Sequence, residues 1–253
     1  MPFAEQDLTR DGFLGGRITL LQPRRGYRAA TDPVFLAASI PAAPGEHILD
    51  LGCGAGAAMF CLAARVGDLS LTGLDLQADY LDLARRNAAA NGIACALIEG
   101  DVASPPPELR SQSFDRVLIN PPYFAAGAAT GGGDSGRDTA HRADPAIISA
   151  FLEQGLRRLS PGGTLHVIHK ADALVALLSY LQDRAGDIRI LPIAPRSGKD
   201  AGRVIIQAKK GSRSPLRLLP PFIVHRGTAH SSDRADYTDQ AASVLRDAGF
   251  LPL

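Results

Sequence analysis

Short apolar runs alternate with longer segments of mixed polarity along most of this chain. Five of the runs have the length and composition of buried strands, at 47–51, 69–74, 94–98, 114–119 and 164–169. The spacers between the first three runs are long enough for helices. An order of strand, helix and strand predicts a parallel sheet joined by right-handed crossovers.

Helix signals occupy the spacers. Thr31 and Asp32 precede Pro33 and an apolar face, which is typical of a helix N-terminus, and Gly92 follows a helical segment as a C-terminal stop. The turn at 160–163 should end another helix. Helices are therefore predicted at 31–38, 57–65, 78–91, 145–159, 171–184 and 238–248.

The pattern changes after residue 184. Strand-like runs at 188–193 and 203–208 are separated by a loop too short for a crossover helix, so we expect them to pair antiparallel. The segment 216–224 predicts an edge strand interrupted by Pro220 and Pro221.

The first 30 residues differ from this pattern. Alternating polarity around Ile18 and Leu20, after the pair Gly15 and Gly16, predicts a short hairpin ahead of the main fold. We therefore divide the chain into an N-terminal hairpin or arm at 1–30, a main domain at 31–210 and a C-terminal extension at 211–253.

Composition sets limits on the class of protein. A hydrophobic content of 45% and a charged content of 21% are ordinary for a globular protein. No apolar run approaches the roughly 18 residues of a membrane span, and the start lacks the pattern of a secretory signal, so we expect no membrane association and a cytoplasmic location. Cys53, Cys61 and Cys95 lack zinc-site spacing, so we expect no metal.

The basic residues are unevenly distributed although the net charge is only +1. The segment 184–226 holds ten Lys and Arg residues against two Asp residues, and five arginines lie between 10 and 28. This distribution favours an anionic partner on one face, although scattered arginines can also simply solvate a surface.

A glycine-rich loop follows the first main strand, with Asp50 ahead of Gly52, Gly54 and Gly56. Such a loop lets the backbone turn tightly and approach a ligand closely. A dinucleotide fingerprint would need its third glycine one position later, where this chain has Ala57.

The form of this loop resembles that of class I S-adenosylmethionine-dependent methyltransferases. The resemblance implies that Asp50 lies near the methionine amino group of the cofactor and that Asp101 binds the adenine amine. Asp75 ends the second strand, and a carboxylate there can accept hydrogen bonds from two ribose hydroxyls. Aspartates at strand ends are also common as turn or capping residues.

Asn120, Pro121, Pro122 and Tyr123 follow the fourth strand, at the edge where parallel sheets bind ligands. An amine conjugated to a ring is a poor nucleophile. The Asn120 side-chain oxygen and the Pro121 carbonyl can hold its two hydrogens, and Tyr123 offers a stacking face. The motif resembles that of methyltransferases acting on planar nitrogen, which include enzymes for adenine, cytosine and guanine amines and for glutamine amides.

The N-terminal stretch 13–38, together with the two motifs and with Arg137 and Arg142, resembles the bacterial valine-tRNA adenine-N6 methyltransferase family. In similar enzymes this stretch covers the cofactor, which makes Thr31 and Asp32 candidates to line its pocket, with helix capping as the alternative. The loop 125–142 is expected to gate the substrate.

The resemblance implies an α/β fold of the Rossmann-like class I methyltransferase type. Its sheet is expected to have seven mostly parallel strands, an antiparallel last pair and helices on both faces. The expected function is methyl transfer from S-adenosylmethionine to an adenine amine in RNA, with tRNA as the expected partner. The alternatives are another planar amine, including a protein glutamine amide, and a non-catalytic RNA-binding module.

Overall fold

The computed structural model describes residues 3–121, 145–227 and 236–253. The strands are β1 (Leu8–Phe13), β2 (Ile18–Pro23), β3 (His47–Leu51), β4 (Ser70–Asp75), β5 (Cys95–Glu99), β6 (Phe114–Ile119), β7 (Leu159–Lys170), β8 (Ala185–Ala194), β9 (Arg203–Lys210), β10 (Arg217–Leu218) and β11 (Phe222–Ile223). The helices are α1 (Asp32–Ala38), α2 (Ala57–Arg65), α3 (Ala78–Asn91), α4 (Pro107–Arg110), α5 (Pro145–Arg158), α6 (Leu174–Leu181) and α7 (Asp239–Asp247).

The main sheet has the order β10-β8-β9-β7-β6-β3-β4-β5, with β11 also paired to β8. Every pair of neighbouring strands within the group β3 to β7 is parallel. Strand β9 runs antiparallel to both β7 and β8. The predicted antiparallel last pair is therefore confirmed. The predicted interrupted edge strand is present as β10 and β11, two short strands that pair parallel to β8 on either side of the two prolines.

Two hydrophobic clusters cover the two faces of this sheet. Leu118 packs in the cluster that includes α1 and α2, whereas its neighbours Val117 and Ile119 pack in the cluster that includes α5 and α6. Successive side chains of a strand point to opposite faces, so both neighbours can be buried only when both faces are covered. The nearly continuous apolar runs of the sequence follow from this arrangement.

Strands β1 and β2 form the predicted hairpin, which packs on α3. The buried Asn87 accepts a hydrogen bond from the Leu21 amide at 2.7 Å and donates to the Leu21 carbonyl at 3.2 Å. One turn later, Asn91 makes the same pair of bonds with Thr19, at 2.9 and 2.8 Å. Two side-chain amides thus form hydrogen bonds with the backbone N–H and C=O groups at the outer edge of β2, as a neighbouring strand would.

Two predicted boundaries are wrong. The turn at 160–163 lies inside β7, because pairing with β6 already begins at Leu159 and a register shift follows between Phe114 and Arg116; the glycines therefore belong to an irregular part of the strand ladder. The helix predicted at 171–184 is a short 3-10 turn followed by α6.

Thr31 precedes α1 but does not cap it with its side chain. Its backbone is already helical, with φ −84° and ψ −25°, whereas a capping residue needs an extended backbone for its oxygen to reach back. Thr238 before α7 has that extended backbone and accepts a hydrogen bond from the Ala241 amide at 3.1 Å. Across the described ranges, no helix is long and apolar enough to cross a membrane.

Candidate active site

The carboxyl ends of β6, β3 and β4 lie side by side and bring Asn120, the glycine loop and Asp75 to one edge of the sheet. A cavity of about 380 Å³ opens there, which is a size common for small-molecule sites. It is lined by Tyr27, Gly52, Gly54, Asp75, Leu76, Gln77, Tyr80, Asp101, Val102, Asn120, Ile147 and Phe151.

A second, narrower cavity adjoins the first and runs beneath the hairpin. Its lining includes Gln22, Tyr27, Ala29, Pro33, Asp50, Gly52, Tyr80 and Asn120. Tyr27, Gly52, Tyr80 and Asn120 line both cavities. These four residues therefore mark the junction between the two spaces.

The glycine loop contacts the cavities through its first two glycines. Gly52 and Gly54 have φ of +71° and +53°, in the left-handed region that disfavours side chains. A Cβ on Gly54 would meet nothing within 4 Å, so the loop leaves open space there. Gly56 lines neither cavity; a Cβ on it would lie 2.2 Å from the Phe60 ring, so this glycine serves the packing of α2.

Asp50 is a buried carboxylate, only 2% exposed, that lines the narrow cavity. Its Oδ2 accepts a hydrogen bond from the Met59 amide at 3.3 Å. Burial raises the pKa of Asp50 to about 7; the bond from Met59 opposes this rise, and the charge of Asp75 adds to it. A cationic group in the narrow cavity would therefore stabilise the ionised form of Asp50.

Asp75 is held by the backbone at the end of β4. Its two carboxylate oxygens accept hydrogen bonds from the Gly54 amide at 2.8 Å and from the Gln77 amide at 2.9 Å. Burial raises the pKa of this carboxyl, and the backbone hydrogen bonds counteract the rise. Each carboxylate oxygen can accept more than one hydrogen bond, so the fixed group still has acceptor capacity for a ligand in the cavity.

Asp101 follows β5 and also lines the larger cavity, although it is exposed to solvent. Its Oδ1 accepts a hydrogen bond from the Ala103 amide at 2.8 Å, the local turn contact that an aspartate after a strand often makes. The three acidic residues of the sequence analysis thus border the two adjoining cavities.

Asn120 leaves β6 at the junction of the cavities, and its Nδ2 donates a hydrogen bond to the Tyr27 hydroxyl at 3.3 Å. Pro121 follows it and is buried. Pro122, Tyr123, Arg137, Arg142 and the loop 125–142 lie outside the described residues, so the roles expected of them stay predictions.

Neither Thr31 nor Asp32 is among the described residues that line these two cavities. The Asp32 carboxylate instead forms an ion pair with the guanidinium of Arg203, at 2.9 Å. The N-terminal segment still covers the site, but it does so with Tyr27, Ala29 and Pro33.

Several lining residues were not singled out by their sequence pattern. Leu76 directly follows Asp75, is 66% exposed, and provides an apolar wall beside the carboxylate. Ile147 and Phe151 are one helical turn apart on α5 and line the same cavity. Their positions are typical of core residues, so only the fold distinguishes them.

The basic segment 184–226 places its charged residues at both ends of the main sheet. Strands β8 and β9 run in opposite directions, so the segment carries charges to both ends of the sheet. At the cavity end, Arg196 and Arg203 pair with Asp236 and Asp32. At the far end, Lys210 donates to the Leu159 carbonyl at 2.6 Å. The charges of this segment are therefore divided between the two ends of the sheet, and the expectation of an anionic partner on one face stays a prediction.

Within the part of the chain that the structure describes, no group of three or more His, Cys, Asp and Glu side chains could hold a metal ion.

Comparison with known proteins agrees with the geometry of the site. Residues 30–189 match a family model described as methyltransferase small domain. The chain is 27% identical over 216 residues to a Dickeya chrysanthemi protein named tRNA1(Val) (adenine(37)-N6)-methyltransferase, which covers 84% of each chain. It is 26% identical over 230 residues to a Vibrio campbellii protein of the same name, covering 90% of this chain and 93% of the relative.

Among solved structures, a predicted O-methyltransferase from Agrobacterium tumefaciens superposes with a TM-score of 0.72. The match covers 88% of this chain and 99% of the other at 24% identity, which is evidence for the fold alone. The expected α/β fold of the class I methyltransferase type is confirmed.

Proposed function

The chain belongs to the methyltransferase small domain family, and from that premise we propose that it transfers a methyl group from S-adenosylmethionine to the exocyclic amine of adenine in RNA. We propose tRNA as the RNA, because the relatives from Dickeya chrysanthemi and Vibrio campbellii that match most of the chain carry names of tRNA adenine-N6 methyltransferases. Such a substrate would place the enzyme in the cytoplasm.

The residues of the two cavities fit this cofactor. A buried carboxylate with a raised pKa, Asp50, is suited to an ammonium group in the narrow cavity. In the larger cavity, the fixed Asp75 carboxylate is suited to a pair of hydroxyls, and the exposed Leu76 is suited to one face of a flat base. S-Adenosylmethionine carries all three features and, when bound, supplies a methyl group on a sulfonium centre.

The single observation that carries the proposal is the position of Asn120 at the junction of the two cavities. An amide oxygen there can accept one hydrogen of an incoming amine, and the carbonyl of Pro121 can accept the other. Both acceptors draw the nitrogen lone pair away from the ring and toward the reacting carbon. Alignment and electrostatics then supply most of the rate, and the amine would release its extra proton to solvent after the methyl transfer, so no general base of matched pKa is needed before attack.

The base must leave any helical stack to reach this position, because the acceptors lie at a strand end beneath the hairpin. The amide geometry by itself would also accept a guanine or cytosine amine or a glutamine side chain. The choice of adenine follows the names of the relatives.

The proposal is tested by nucleoside mass spectrometry of total tRNA from a strain that lacks this protein. We expect N6-methyladenosine to disappear from one tRNA species and to return when the wild-type protein is restored. A tRNA pool with unchanged N6-methyladenosine, together with a protein glutamine that loses its methyl group, would replace the RNA substrate with a protein one.

A further inference from the structure

The side chain of Asn120 needs an orienting partner if its oxygen is to meet an amine. Rotation of the terminal amide by a half turn exchanges its oxygen and its nitrogen at little intrinsic cost. In the wrong orientation, the amide would point its own hydrogens at the hydrogens of the amine. In the structure, one contact of this amide is the hydrogen bond that Asn120 Nδ2 donates to the Tyr27 hydroxyl at 3.3 Å, and it directs the Asn120 oxygen away from Tyr27.

Tyr27 is itself held in place by contacts within the N-terminal segment. Its backbone carbonyl accepts a hydrogen bond from the Tyr80 hydroxyl at 3.1 Å. The Gln22 side chain accepts a hydrogen bond from the Ala29 amide at 2.7 Å and donates one to the Ala29 carbonyl at 3.3 Å. These two bonds close the loop between Gln22 and Ala29, which carries Tyr27. The aromatic ring is therefore presented by a loop closed at both ends.

A shared carboxylate strengthens this closure. Asp11 accepts hydrogen bonds from Gln22 at 2.8 Å and from Arg28 at 2.7 Å, and these two residues flank the loop. Arg28 also donates to the Pro23 carbonyl at 2.9 Å. The backbone of the loop that carries Tyr27 is thus held in place by contacts within the N-terminal segment and with Tyr80.

We propose that Tyr27 is a positioning residue whose hydroxyl accepts the Asn120 amide hydrogen and so directs the Asn120 oxygen to the substrate amine. This role rests on the proposed function, because it gives Asn120 an amine to hold. Tyr27 does not touch the reacting atoms in this account; it acts through Asn120.

The state of the hydroxyl agrees with the role. Tyr27 is 41% exposed as a whole residue, but partial burial raises the pKa of its hydroxyl to about 12, and the carboxylates of Asp32 and Asp50 add to the rise. The hydroxyl therefore stays neutral across the working range of pH. The negative charges of the two carboxylates favour a hydroxyl hydrogen that points toward them, which leaves the oxygen to accept the Asn120 amide hydrogen. A residue that only lined the cofactor cavity would need its aromatic ring but not its hydroxyl group.

The orientation can be measured without any activity. Substitution Tyr27→Phe removes only the hydroxyl, and Tyr180→Phe is the matched control, because Tyr180 lines a separate surface hollow with Arg184 and Lys210. In nitrogen–proton NMR spectra, the Asn120 side-chain amide signals, assigned through Asn120→Asp, should shift and exchange faster in Tyr27→Phe only. Unchanged signals in Tyr27→Phe would overturn the proposal.

Kinetics separate positioning from cavity shape. We expect Tyr27→Phe to lower kcat about tenfold, the effect of one lost hydrogen bond, while the Kd for S-adenosylmethionine changes less than twofold. Tyr180→Phe should match the wild type in both. A loss of cofactor affinity as large as the loss of kcat would make Tyr27 a wall of the cofactor site and would contradict the proposal.

A double substitution gives the sharpest distinction. The carboxylate of an Asn120→Asp variant has two equivalent oxygens, so its orientation needs no selection. Tyr27→Phe should then change kcat less than twofold in that background. An equal loss in both backgrounds would exclude orientation as the cause.

The proposed function and the role of Tyr27 can fail separately. If the wild type methylated no RNA at all, the proposed function would fail, and the NMR comparison would still decide whether Tyr27 orients Asn120.

Discussion

At the scale of single residues, Asp50 is the group whose charge state matters most. Its pKa is about 7 in the folded protein and about 3.9 in an unfolded chain. Between these values the unfolded chain has released the proton and the folded protein still holds it. The contribution of Asp50 to the free energy of unfolding therefore falls as the pH rises from about 4 and is lowest above 7. The ionised form of Asp50 therefore lowers the stability of the folded protein at neutral pH, as expected for a residue that serves binding.

The first prediction is that cofactor affinity rises with pH through 7. About 10% of Asp50 is ionised at pH 6 and about half at pH 7, where an α-amino group with a pKa of about 7.7 to 8.0 is still mostly charged. The Kd for S-adenosylmethionine should therefore be about fivefold weaker at pH 6 than at pH 7. Calorimetric titration at both pH values measures this ratio. The Asp50→Asn control should bind more weakly and lose the pH dependence. A wild-type Kd that is equal at the two pH values would contradict the role of Asp50.

The sequence predicts that Asp50, Asp75 and Asn120 converge, because each lies at the carboxyl end of a buried strand. The structure brings these three residues to the same cavities, and the binding roles expected of them stay predictions. Tyr27 could not be found in this way, because its contact with Asn120 spans 93 residues and depends on where the hairpin lies. The substitution of Phe for Tyr27 tests the consequence of that contact.

At the scale of elements, the buried Asn87 of α3 joins three parts of the molecule. Besides its two bonds to Leu21 in β2, its Nδ2 donates to the Ala55 carbonyl of the glycine loop at 3.0 Å. One amide therefore ties the hairpin, the helix and the loop together. Its position on the helix could equally have been a solvated polar face, so the sequence alone does not reveal it.

We expect Asn87→Ala to destabilise the protein by about 2 to 4 kcal/mol, because buried backbone groups of β2 and of the glycine loop lose their partner. Chemical unfolding measures this loss, and hydrogen exchange should show the Leu21 amide opening faster. Asn91→Ala is the control, since Asn91 is only partly buried and does not reach the loop. Equal destabilisation by the two substitutions would argue against a special role for Asn87.

The main helices and strands could be predicted because an apolar run and its flanking turns are local properties. The start of β7 could not, since the glycines at 160–163 look like a turn until β6 lies beside them. Thr31 likewise has the composition of a cap but not the backbone angle. In both cases the outcome depends on the folded structure and not on the local sequence.

At the scale of the whole molecule, the direction of each strand decides which charges can face an RNA. Lys209 pairs with Thr164 near the start of β7, whereas Arg203 pairs with Lys170 at its end, roughly 20 Å away along the strand. Arg24 and Arg25 are exposed in the loop that carries Tyr27. The cavity end therefore has Arg24 and Arg25 of the N-terminal segment, in addition to Arg196 and Arg203, which pair with aspartates.

We predict that Arg25→Glu raises the KM for tRNA about tenfold with little change in kcat and lowers the salt dependence of binding, because a phosphate beside the flipped base loses its cation. Lys209→Glu makes the same charge change at the far end and should leave KM near the wild-type value. Steady-state kinetics at several salt concentrations distinguish them. A larger effect from Lys209→Glu would place the RNA at the other end of the sheet.

The most direct test of the account is the fate of a labelled methyl group. Purified protein is incubated with deuterated S-adenosylmethionine and tRNA from a strain that lacks the protein, and the nucleosides are analysed by mass spectrometry. The account predicts labelled N6-methyladenosine with the wild type and at least a hundredfold less with Asn120→Ala, on the scale of a lost group that stabilises the transition state. Label on any other nucleoside, or equal labelling by Asn120→Ala, would contradict it.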